Sequence, residues 1–149
     1  MNQRKTTFRI FVVEDRDDQW NLIERAFTEV LPTAQIVRAA SGDEALTLLR
    51  EYCGHSRDFP HLVLLDLYVP RRENGWQVLQ EIRALPSPLN QIPVVMLSSS
   101  VMAKDIKEAY RLRCTSYLIK PIVYQEWLDH FQILKTYWFD VVTLPHLTN

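Results

Sequence analysis

Two runs in this 149-residue chain, Leu62–Leu65 ("LVLL") and Val94–Leu97 ("VVML"), are apolar at every position. A strand with one wet face alternates apolar and polar residues. A strand without alternation must be covered on both faces, which is the condition of a parallel sheet flanked by helices. With their flanks these runs read as strands at 61–65 and 93–98, and three more follow the same chemistry at 8–13 ("FRIFVV"), 34–39 ("AQIVRA") and 116–119 ("SYLI").

Amphipathic stretches separate them. Residues 18–31 carry Trp20, Ile23, Phe27 and Val30 on one stripe. The next helix opens at "SGDEALTLLREY", where Ser41 is an N-cap and Glu44, three residues on, completes a capping box. A third helix over 75–85 presents Val78, Leu79, Ile82 and Leu85, and a fourth, about 103–112, is mostly polar around Ile106, Ala109 and Tyr110. The fifth, 123–139, places Trp127, Phe131, Leu134 and Trp138 at spacings of four, three and four. Loops fall at 54–60, 70–74 and 86–92. Strand and helix thus alternate five times, giving an α/β fold of (βα)5 order. Right-handed crossovers place its helices on both faces of a five-stranded parallel sheet. One domain over 1–139 is expected, with a C-terminal tail at 140–149.

Charge and motif content narrow the function. A net charge of −1 gives no electrostatic case for nucleic acid or an anionic membrane. The apolar part of the opening segment is too short for a signal peptide, and no apolar run approaches the roughly 20 residues of a membrane span. Cys53 and Cys114 lack CxxC or metal-ligand spacing and read as reduced thiols of a cytoplasmic protein. His55, His61, His130 and His146 have no paired spacing and read as structural or exposed.

Ligands of an open parallel sheet bind beyond the carboxyl ends of its strands. The first strand ends in Glu14–Asp15, the third in Asp66, the fourth in Ser98–Ser99 and the fifth in Lys120–Pro121; the second ends in Ala39–Ala40 and offers no chemistry. Three carboxylates brought together repel unless a cation sits among them, and oxygen donors with room for water suit Mg²⁺. Such an ion would neutralise an incoming phosphoryl group and leave one carboxylate free to attack it. Lys120 can then pair with a phosphoryl oxygen, and Ser98 can donate a hydrogen bond to another.

The motifs "VVEDRDDQ", "LVLLDLYVPRRENGWQVLQEIR", "IPVVMLSSS" and "SYLIKP", each at the end of an expected strand, resemble those of response-regulator receiver domains of the stand-alone, chemotaxis-type kind. The resemblance spans about Phe8 to Trp138. The loop "RRENG" and the ending "LKTYWFDVVTLP" are more specifically similar to small receivers that serve phytochrome-type histidine kinases. It implies a flavodoxin-like doubly wound fold and a two-component phosphorelay. Asp66 would be the phosphoacceptor, Ser98 and Tyr117 the switch pair, and Lys120 the lysine that contacts the phosphoryl group. Mg²⁺ would be held by Asp15, Asp66 and the Tyr68 backbone carbonyl, with Glu14 acting through water. The resemblance also implies a cis bond before Pro121, and a histidine kinase or phosphotransfer protein as donor. Such a chain is not an enzyme in the ordinary sense, and with no output module in the sequence it would signal through protein contacts. The apolar tail suggests a homodimer through the fourth helix, fifth strand, fifth helix and tail.

Three residues depart from the family pattern. Arg113 stands where glycine usually closes the fourth helix, so a differently shaped helix end is expected. Tyr68 replaces a smaller polar residue, and Gly75 lies nine residues after Asp66, a slightly long loop that is expected to relocate the start of the third helix. An unphosphorylated adaptor of the same fold is the alternative reading. A haloacid-dehalogenase-type phosphatase is disfavoured, because Tyr68 occupies the position of its second aspartate. No GxGxxG follows the first strand, which disfavours a dinucleotide enzyme.

Overall fold

The computed structural model describes residues 7–55 and 58–141. Five strands, β1 (Arg9–Val13), β2 (Gln35–Ala39), β3 (Leu62–Asp66), β4 (Val94–Ser98) and β5 (Ser116–Ile119), form one sheet in the order β2-β1-β3-β4-β5. All four pairings are parallel. Five helices alternate with them: α1 (Asp17–Val30), α2 (Gly42–Cys53), α3 (Arg72–Arg83), α4 (Ala103–Arg111) and α5 (Tyr124–Leu134).

Strands β3 and β4, which carry the two unbroken apolar runs, are buried at every position, and side chains alternate between the two faces of the sheet. Ile10, Val12, Leu62, Leu64, Val95 and Leu97 point into one core, covered by α1 and α5 through Phe27, Trp127 and Phe131. There the Phe27 and Phe131 rings stack at 3.9 Å. Their neighbours Phe11, Val13, Val63, Leu65 and Met96 point into the other core, under α2 and α3. The sheet is thereby wound on both faces, and its chain order reverses between β1 and β3.

Local chemistry fixes the helix ends. The Ser41 hydroxyl accepts the Glu44 N–H at 3.1 Å, as its cap position requires. The Glu44 carboxylate reaches back one residue further than a standard capping box, to the Ala40 N–H at 3.1 Å. Helix α3 begins at Arg72, three residues before the expected start, because Asn74 Oδ1 accepts the Arg71 N–H at 3.2 Å and caps the earlier turn. This early turn packs hard against the chain leaving β3. A Cβ on Gly75 would stand 2.2 Å from the Leu67 carbonyl oxygen, so only glycine fits.

Two expectations about backbone conformation are also corrected. Helix α4 closes with an ordinary left-handed cap despite its arginine. Arg113 takes φ 70°, and the Cys114 and Arg113 N–H groups bond to the Ala109 and Tyr110 carbonyls at 3.0 Å each. Reciprocal bonds secure it, with Arg83 Nε donating to the Arg113 carbonyl at 2.8 Å and Arg113 Nη2 to the Arg83 carbonyl at 3.2 Å. Cis bonds precede Pro70 and Pro88, whereas the Lys120–Pro121 bond is trans, the isomer that X–Pro steps prefer.

Helix α5 ends at Leu134, earlier than the expected 139, and continues as a π-helical segment, Lys135–Val141. Thr136 sits at this change, its hydroxyl bonded back to the Gln132 carbonyl at 3.0 Å, a bond that loosens the α-helical ladder. Phe139 in the segment packs on Phe8 with ring centroids 4.2 Å apart. Most of the expected tail, 142–149, lies outside the described residues. No helix among the described residues is long and apolar enough to cross a membrane.

Candidate functional site: an acidic cleft at the strand ends

The sheet order brings the carboxyl ends of β1, β3, β4 and β5 side by side, and with them most of the chemistry the sequence places at strand ends. Glu14 and Asp15 follow β1, Asp66 ends β3, Ser98 ends β4 and Lys120 follows β5. One oxygen from each of Glu14, Asp15 and Asp66 lies within 4.8 Å of the others. A cleft of 280 Å³ opens over them, lined by Asp15, Arg16, Asp66, Tyr68, Ser99 and Lys120.

Lys120 ties the cluster together. Its Nζ lies 2.7 Å from Glu14 Oε2 and 3.0 Å from Asp66 Oδ2, and its backbone N–H donates to the Ser98 carbonyl at 2.9 Å. Glu14 is 1 % and Asp66 6 % exposed, so these charges interact with little water between them. Burial, then the neighbouring Asp66 charge, pushes the Glu14 carboxyl up to about 7. Burial likewise raises Asp66, against the opposing pull of Lys120. The Lys120 ammonium is itself raised, since attraction to Asp66 and then Glu14 outweighs its desolvation. One ammonium therefore holds two reluctant carboxylates, and a third, Asp15, faces the cleft. The donor set is all oxygen and carries more negative charge than Lys120 can offset. Such a set fits a hard divalent cation.

Backbone donors orient the acids. The Tyr68 N–H bonds to Asp66 Oδ1 and the Arg16 N–H to Glu14 Oε1, each at 3.2 Å. The Ser98 hydroxyl is fully buried and accepts the Ser100 N–H at 3.1 Å. Tyr117 is half-buried, and its hydroxyl donates to the Ser100 carbonyl at 2.9 Å, so its ring leans toward the β4–α4 loop. The Tyr68 ring lies at the cleft wall, and its hydroxyl accepts from Arg72 Nη2 at 3.1 Å.

Two groups near the site went unread in the sequence. Asp105 on α4 is 1 % exposed, receives the Ser100 hydroxyl at 2.6 Å and lies 3.2 Å from Arg72 Nε. It falls one turn before buried Ala109, and that spacing was the available signal. Arg38, on the strand read as chemically silent, donates from Nε to the Glu14 carbonyl at 3.0 Å. The histidines stand apart from the cleft: His55 is exposed, and His61 and His130 bond to backbone groups at Arg9 and Glu126. His146 lies outside the described residues.

The fold and this acidic cleft define a phosphoryl-signalling receiver, and the comparisons agree. The chain belongs to the response regulator receiver domain family, whose model matches residues 10–132. It is 37 % identical over 131 residues to the probable methanogenesis regulatory protein FilR2 of Methanothrix harundinacea, covering 88 % of this chain and 83 % of that one. It is 31 % identical to the response regulator Rcp1 of Synechocystis, covering 91 % and 92 %. The crystal structure of the phosphorylated cyanobacterial phytochrome response regulator RcpA is similar at a TM-score of 0.82 and 34 % identity, covering 94 % of this chain and 99 % of that one. The Mn²⁺-bound form of Rcp1 gives 0.79 and 30 %, covering 93 % and 99 %.

Proposed function

We propose that Asp66 accepts a phosphoryl group from a phosphohistidine on a histidine kinase or phosphotransfer protein, and that the phosphorylated domain signals by protein contact. The observation that carries this reading is the pairing of Asp66 with Lys120 beside Glu14 and Asp15 at the sheet's switch point. An Asp66 oxygen attacks phosphorus, the P–N bond breaks, and its electron pair returns to the donor imidazole. The product is an aspartyl phosphate. Mg²⁺ is the cation we assign: Asp15, Asp66 and the Tyr68 backbone carbonyl would hold it, Glu14 would act through water, and the ion would neutralise the phosphoryl charge.

The chain's own groups do the rest. Lys120, already 3.0 Å from Asp66, exchanges part of that contact for a phosphoryl oxygen. Ser98 turns its hydroxyl proton toward another oxygen, which draws in the β4–α4 loop, and Tyr117, bonded to that loop at Ser100, follows it. A differential interaction of a few kcal/mol suffices to shift such a population.

The response surface is assigned to α4, β5 and α5. A groove of 440 Å³ lies between β5 and the end of α5, lined by Leu118, Ile133, Leu134, Tyr137 and Trp138. Ile133 and Tyr137 stand exposed on it, which supports a homodimer through this face. The receiver domain is assigned to 1–139 and the tail to 140–149. Two free cysteines fit a cytoplasmic setting. Incubation with acetyl phosphate and Mg²⁺, followed by intact mass, tests the reaction: one phosphoryl adduct is expected, and none in Asp66→Asn. Light scattering with and without the donor tests the dimer.

A further inference from the structure

We infer that Arg38 is a positioning residue for the cation site: it fastens the acidic loop between β1 and α1 from behind, so that Glu14 and Asp15 meet the ion already in place. The inference rests on reading Glu14, Asp15 and Asp66 as that site.

Arg38 lies on β2, in register with Val12 of β1, and its side chain runs past the end of β1. Nε donates to the Glu14 backbone carbonyl at 3.0 Å, while Nη1 pairs with Asp17 Oδ1 at 2.8 Å. These two contacts bracket Asp15 and Arg16, because the same guanidinium holds Glu14 before them and Asp17 after them. The Trp20 ring lies 5.7 Å from Cζ and covers the group on the α1 side. The Glu14 N–H bonds to the Ala39 carbonyl at 3.0 Å, so both backbone groups of Glu14 are tied to β2. Arg38 Nη2 is buried without a hydrogen-bond partner among the described residues. An unmet buried donor costs stability, so this arginine is poorly explained as a purely stabilising surface residue.

Two effects of opposite sign meet at this position. The guanidinium charge repels a cation bound nearby, whereas its grip on the loop lowers the reorganisation that binding requires. Asp17, 2.8 Å from Nη1, offsets the charge, and Nε holds the Glu14 backbone carbonyl rather than its carboxylate. Positioning therefore wins, and groups that orient metal ligands typically change affinity 10–100-fold.

The test is Mn²⁺ binding, read from loss of the free-ion EPR signal, with Mg²⁺ as competitor and urea denaturation in parallel. Arg38→Met keeps the side chain's length and removes both charge and donors; it is expected to weaken Mn²⁺ and Mg²⁺ binding about tenfold. Arg38→Lys, which keeps the charge and one donor, is expected to fall between. Asp17→Asn removes only the charge of the exposed outer partner and keeps an acceptor for Nη1, so it is expected to weaken binding less than Arg38→Met does. Unchanged or tighter binding by folded Arg38→Met overturns the inference, even where stability drops, because a purely structural arginine would give that result. A wild-type protein that binds neither ion overturns the reading of the acidic cluster itself, and the inference with it.

Discussion

Lys120 sits closer to Glu14 than to the proposed phosphoacceptor: its Nζ is 2.7 Å from Glu14 Oε2 and 3.0 Å from Asp66 Oδ2. The ammonium thus divides its charge between Asp66 and a buried acid that has no part in bond formation. Asp66 Oδ1 accepts the Tyr68 N–H, while Oδ2 faces the ammonium. The cleft is electrostatically incomplete, and its properties should follow pH and cations accordingly.

Glu14 is the group to titrate. Its folded carboxyl is raised to about 7, above its ordinary value. Between those two values the folded protein holds a proton that the unfolded chain has released. Its contribution to stability is therefore largest at low pH and is lost as pH rises toward 7. Without divalent cation, urea stability is expected to decline across that window, and Glu14→Gln to flatten the decline. Cation affinity should run the other way and rise through pH 7, because the ion takes the deprotonated acid.

Replacing the shared ammonium exposes the same conflict. Lys120→Met leaves Glu14 and Asp66 buried without a cation, and removal of one partner from a buried pair costs about 3–5 kcal/mol. Protonation of the acids relieves that cost, so denaturation should show a large loss at pH 8 and a much smaller one at pH 5. Added Mg²⁺ should recover part of the loss at pH 8.

The loop after β3 depends on Gly75. A methyl group there would stand 2.2 Å from the Leu67 carbonyl oxygen, a backbone atom that cannot step aside. Gly75→Ala is expected to cost about 3 kcal/mol, at the upper end of overpacking penalties. It should also disturb Tyr68, one residue beyond Leu67, and slow phosphorylation in a stopped assay of adduct formation.

Asp105 and Arg72 join the start of α4 to the start of α3. Asp105 is nearly wholly buried, while Arg72 is partly open to water. Asp105→Asn is expected to cost about 2 kcal/mol, less than a fully buried pair. A double-mutant cycle with Arg72→Met should return a favourable coupling, measured by urea denaturation at neutral pH.

The sequence was most legible where burial acts on one residue at a time. The unbroken apolar runs at 62–65 and 94–97 fixed the parallel sheet, and strand-end residues converged once the strands were ordered. Legibility failed where a long side chain crosses between elements. Arg38 sits on an alternating edge strand like any exposed residue, and only the three-dimensional register brings it to the Glu14 carbonyl. The early start of α3 turned on Asn74 accepting the Arg71 N–H, a local capping choice that apolar periodicity does not record. Arg113 shows the opposite limit, since the geometry its position demands prevailed over a local preference worth about 1 kcal/mol. The reciprocal bonds with Arg83 help hold it there.

The measurement closest to the central claim locates the phosphoryl group chemically. After reaction with acetyl phosphate and Mg²⁺, borohydride reduction converts an aspartyl phosphate to homoserine and releases phosphate, and peptide mass spectrometry reads the position. The account predicts homoserine at position 66, dependent on divalent cation and on the donor. Conversion at another aspartate, or none in a folded protein under conditions that label a known receiver, would contradict it.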